Sequence, residues 1–113
     1  MFNENRQRAV TLAKAHLARV PDVLRRIARL EAAEAGGPLV REASRLIDAL
    51  EEDLGRLHSY GNAYVQLTER IVWARARLEE ALDEGVRYRV RPEAVPRLLE
   101  HAAFLEGWGG GDG

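Results

Sequence analysis

The chain has no cysteine and a single methionine, and against sixteen arginines it carries one lysine, Lys14. Without cysteine there are no disulfides, no cysteine-ligated zinc and no thiol catalysis, a composition that suits a reducing compartment. Nowhere do about 18 uncharged apolar residues run together, the length a membrane-spanning helix needs. The opening MFNENRQRAV is polar and has no apolar stretch of signal-peptide type, so a cytoplasmic location is expected. A net charge of -1 excludes the strongly cationic character of a dedicated nucleic-acid coat. No glycine-rich phosphate loop, nucleophile elbow or Ser/His/Asp arrangement is present. His16, His58 and His101 are far apart and show no E-x-x-H or H-E-x-x-H spacing, so no helix-borne metal site is indicated. The expectation is a protein that is not an enzyme and holds no cofactor.

At 113 residues, with 46% hydrophobic and 31% charged residues, the chain is expected to form one all-α domain over 1–106. The first segment, 5–35, carries a heptad seam of Val10, Ala13, Leu17, Val20, Leu24 and Ile27, as in a coiled coil. Pro21 lies inside that register and predicts a kink or break, although the phase continues across it. The GGP stretch at 36–38 ends the segment, and Pro38 suits the first turn of a new helix. A second seam runs over 39–84 through Val40, Ala43, Ile47, Leu50, Leu54, Leu57, Gly61, Tyr64, Thr68, Ile71, Leu78 and Leu82. Arg75 is its one violation. HSYGN at 58–62 is a weak point, but the unbroken phase argues for one long helix.

Folding one segment on the other about Gly37 gives an antiparallel hairpin. Its predicted pairs are Leu17 with Leu57, Leu24 with Leu50, and small Ala13 with small Gly61. The same register sets His16 opposite His58, a pairing that would allow a shared metal ion, and brings Arg26 near Asp48 and Arg19 near Asp53. Charge follows this plan. Residues 1–30 carry seven basic and two acidic groups, whereas 31–60 carry three and seven. An interhelical ladder of ion pairs accounts for that asymmetry, each exposed pair contributing roughly 0–1 kcal/mol. Glu79, Glu80, Asp83 and Glu84 crowd the end of the long helix, where the macrodipole disfavours them. Arginines 87, 89 and 91 are the expected compensation.

The first helix reaches back only to about residue 70, leaving Val65, Val72, Trp73 and Ala76 without cover. A tail helix over 96–106, capped by Gly107, or a second copy of the chain would bury them. Residues 107–113 read as a flexible glycine-rich tail, apart from Trp108, which could pack back. The stretch VRYRVR at 86–91 alternates apolar and basic residues like a strand. It reads as an extended connector, as a ribbon with a second chain, or as a partner-facing arm. Two functional expectations follow. The favoured one is a self-associating adaptor or assembly subunit, a dimer for preference, that contacts an unidentified protein partner through Val65, Val72, Trp73, Ala76 and Tyr88. The alternative is an accessory nucleic-acid binder using Arg25, Arg26 and Arg29 with Arg87, Arg89 and Arg91, Trp73 serving as a stacking platform.

Overall fold

The computed structural model describes residues 2–29, 37–87 and 92–111, with side chains placed for 4–29, 37–83 and 92–108. The described residues form four helices: α1 (Phe2–Ala28), α2 (Pro38–His58), α3 (Val65–Arg87) and α4 (Ala94–Gly111). The fold is an all-α bundle with no strand among the described residues.

Glu4 in the first turn of α1 and Arg25 and Arg26 in its last turn are placed to favour the helix dipole. Pro21 does not break the helix, which is continuous through it. The ring lacks the N–H that the Leu17 carbonyl would accept, but it is buried and keeps the apolar stripe in phase. After Arg29, residues 30–36 lie outside the described residues, so the expected extension of the helix to 35 does as well. Gly37 is the extended N-cap residue of α2 with Pro38 opening the helix, and the Val40 amide bonds the Gly37 carbonyl at 3.1 Å. Pro38 thus stands where its missing N–H costs nothing.

The segment 39–84, expected as one helix, is two. Beyond Ser59 the backbone tightens, the Tyr60 amide bonding the Leu57 carbonyl and the Gly61 amide that of His58. Gly61 then adopts φ +70, a left-handed conformation that ends a helix and that glycine takes without steric cost. The chain reverses over 59–64 and α3 returns along α2, as the Arg75–Glu51 ion pair at 2.5 Å requires. In a straight helix those residues would lie roughly 36 Å apart. Gly61 therefore serves the turn and not the close approach to Ala13 that the seam predicts. It is exposed, and a Cβ there would meet nothing within 4 Å.

α1 packs against each of the other three helices, and the molecule extends 49 Å along its longest axis, close to the roughly 40 Å length of that helix. Leu24, Ile27, Leu46, Leu50, Leu57, Ile71 and Leu78 are fully or almost fully buried, each worth about 1.5–3 kcal/mol relative to exposure. α4 begins at Ala94, before Pro96, and continues past the expected cap at Gly107 to Gly111. The strand expected from 86 is also corrected, because Val86 and Arg87 complete α3. Extending a helix satisfies backbone groups that a lone strand leaves unpaired. The remaining residues of that stretch, 88–91, lie outside the described residues.

Two glycine substitutions should move stability in opposite directions. Gly55→Ala, inside α2 with open space at its Cβ, should stabilise by about 0.5–1 kcal/mol. Gly61→Ala should destabilise by about 1–2 kcal/mol through the backbone alone. Urea unfolding followed by circular dichroism reads both.

Candidate functional site

Two features stand out once the helices are in place. The first is a polar contact inside the bundle. Asp53 lies on the stripe Leu46, Leu50, Leu57 of α2, and its side chain has 0% exposure. His16 occupies the matching place on α1, between buried Ala13 and Val20. The His16 Nδ1 stands 2.5 Å from Asp53 Oδ2, and Arg56 Nη1 donates to Asp53 Oδ1 at 3.3 Å. Arg56 also reaches Glu52 at 3.4 Å.

This contact revises the predicted register. His16 meets Asp53, five residues before His58, and His58 is exposed. Arg26 meets Glu42 at 2.8 Å, six residues before Asp48, and Arg19 meets Glu42 at 3.7 Å in place of Asp53. At the other end, the Arg6 guanidinium lies over the Tyr60 ring at 4.9 Å and the Tyr64 ring at 6.0 Å. The hairpin is antiparallel as expected but slid along α2, because a buried carboxylate selects its partner more strongly than one apolar seam selects another. No cluster of three or more potential metal ligands occurs among the described residues.

The second feature is the edge formed by α3 and α4. Trp73 turns toward α4, where His101, Phe104 and Trp108 surround it at ring-centroid distances of 5.3, 5.0 and 5.7 Å. Arg77 lies over Trp73 at 5.2 Å and Arg70 over Trp108 at 5.3 Å. Trp108 therefore packs back from the glycine-rich end. Arg77 also pairs with Glu80 at 2.9 Å, and Arg75 with Glu79 at 3.3 Å. Glu79 and Glu80 are thus compensated from within their own helix, whereas Asp83 makes no ion pair among the described residues, and the side chains of Glu84 and of the expected partners, arginines 87, 89 and 91, lie outside them. Arg75, the violation in the predicted seam, sits off a core stripe made of Leu67, Ile71, Ala74, Leu78 and Ala81.

Of the predicted interface residues, Val65 and Val72 remain 45% and 51% exposed, and Ala76 is half-buried. Trp73 is half-buried beneath α4, and Tyr88 lies outside the described residues. Phe104, absent from the predicted set, is 51% exposed beside Trp73. Val65 also rims an open cleft of about 510 Å³ between α1 and the first turn of α3, shared with Val10, Lys14 and Arg70. Of the predicted arginine set, the described members Arg25 and Arg26 turn to different neighbours. Arg25 bonds Glu106 of α4, Arg26 bonds Glu42 of α2, and Arg29 is exposed after α1. Arg87 ends α3 with its side chain outside the described residues, as are Arg89 and Arg91.

No known protein family, curated protein or solved structure matches the chain. No helix among the described residues is long and apolar enough to cross a membrane.

Replacing His16 with Leu should leave the Asp53 carboxylate with Arg56 alone and cost about 3 kcal/mol. The double variant His16→Leu/Asp53→Leu, which removes the buried charge too, should recover most of that loss in urea unfolding. His101 supplies a pH signature. Burial holds its pKa below the usual 6.5, with Arg77 and Arg97 adding to the effect against Glu80 and Glu100. The unfolded chain then takes up this proton before the folded one does. Stability is therefore greatest above pH 6.5 and falls as pH drops from there toward the lowered value. NMR titration should place His101 below 6.5, and His101→Gln should flatten that part of the stability profile.

Proposed function

We propose that the chain is a non-enzymatic, self-associating helical assembly subunit that acts through protein–protein contacts on the outward face of α3 and the adjoining α4 edge. The observation that carries this reading is the open apolar surface left when the bundle is complete. Val65 and Val72 lie two turns apart on one row of α3, and each keeps about half its surface in water. Phe104 extends apolar exposure onto α4 although that helix already covers Trp73. Apolar exposure grouped on one edge is typical of a docking surface, whereas isolated exposed side chains are ordinary.

The nucleic-acid alternative draws less support. Arg25 and Arg26 are engaged by Glu106 and Glu42, and the Trp73 and Trp108 rings already lie against the chain's own arginines.

Sedimentation across a concentration series from about 1 to 300 μM should show mass rising above the 12.7 kDa of one chain at Kd values usual for modest interfaces. Val72→Asp should weaken the association at least about tenfold without loss of helix by circular dichroism. A monomer at every concentration would refute self-association.

A further inference from the structure

The self-association reading leaves open which surface of a second copy meets α3. Val65, Glu69, Val72, Ala76 and Asp83 share the outward row of α3, spaced 4, 3, 4 and 7 along one helical face. That row carries carboxylates and no cation. Glu69 and Asp83 make no ion pair among the described residues. Pairing the row with its own copy would set carboxylate against carboxylate, which is destabilising.

α1 carries a row of the opposite character with the same spacing. Arg8, Leu12, Ala15, Arg19 and Arg26 are all exposed, and Leu12 is 39% accessible. Within the chain this row is only partly neutralised. A single carboxylate, Glu42, serves both Arg19 and Arg26; Asp22 stands 3.7 Å from Arg26; Arg8 makes no ion pair among the described residues. The row too would repel a copy of itself. Each row has apolar residues at its centre; the charges around them are acidic on α3 and predominantly basic on α1, where Asp22 is the exception between Arg19 and Arg26.

We infer that self-association, on which this rests, is heterologous: the outward row of α3 in one copy docks on the exposed α1 row of another. Leu12 and Ala15 meet the Val72–Ala76 stretch, and Arg8 and Arg19 meet the free carboxylates Glu69 and Asp83. Such a contact joins two different surfaces, so one interface leaves a second α1 row and a second α3 row available for pairing. Exposed charges make the contact salt-sensitive, with the screening length falling from about 10 Å at 0.1 M to about 3 Å at 1 M.

The test uses two charge-reversed full-length chains, Arg8→Glu/Arg19→Glu and Glu69→Arg/Asp83→Arg. All four positions are exposed, so both variants should keep wild-type helicity and melting cooperativity. Sedimentation at low salt should show each variant alone weakened at least about tenfold relative to the wild type. Mixing the two should restore association, because each reversed row then faces its complement. Wild-type association that survives both reversals, or a mixture that stays as weak as its components, would overturn the α1–α3 pairing while leaving self-association standing. A wild-type chain that is monomeric throughout removes both.

Discussion

Asp53 is the constraint on which the arrangement of the helices turns. A carboxylate with no accessible surface must be met by donors, since several kcal/mol of desolvation per ion is otherwise unrepaid. Arg56 comes from one turn away on the same helix and would be there whatever α1 did. His16 comes from α1 and is the discriminating partner. An apolar seam is nearly degenerate under a slide of one heptad, because Leu, Ile and Val exchange with little loss. A histidine–carboxylate contact at 2.5 Å is lost with a slide of one turn, about 5.4 Å. Hydrophobic burial thus supplies most of the stability, and one polar contact chooses among the registers it would allow.

The rest follows from that register. With His16 on Asp53, the N-terminal end of α1 comes level with the 59–64 turn, where Arg6 lies over Tyr60 and Tyr64. Gly61 reverses the chain there, and α3 runs back along α2 with Arg75 on Glu51. α1 then has α2, α3 and α4 around it. A long central helix with shorter helices packed about it solves the problem that a two-helix hairpin of this length leaves open, which is how to bury both sides of its seam.

The all-α class, the antiparallel hairpin and the Gly37–Pro38 start of α2 were legible in the sequence because each rests on local chemistry. Periodicity marks apolar faces, and proline and glycine mark ends. The break at 59–64 was hidden because Gly61, Tyr64 and Thr68 happen to keep the 3–4 phase across a turn. Arg75 was the visible sign, since a charge on a supposed core position signals that the face has rotated. The register was hidden for a related reason. Asp53 interrupts the stripe Leu46–Leu50–Leu57, and His16 interrupts Ala13–Val20, so two polar residues on opposed apolar stripes formed a pairing rule. Placing Asp53 opposite Arg19 in a ladder of exposed ion pairs concealed it. Phe104 was missed as a surface residue because the tail helix was read only for what it buries.

The charge asymmetry of the chain has two layers, and only one is consumed by folding. Arg25, Arg26 and Arg19 find Glu106 and Glu42, which is the intramolecular ladder the composition implies. On α3, however, Glu79 and Glu80 are paired with Arg75 and Arg77 of the same helix. The arginines precede their acids in sequence, the less favourable order on a helix. Among the described residues, Glu69 and Asp83 stand without an ion pair on the α3 row of Val72 and Ala76, and Arg8 does so on the α1 row of Leu12 and Ala15. Opposite charge on two separate apolar rows is what a surface needs to meet its complement and reject its own image.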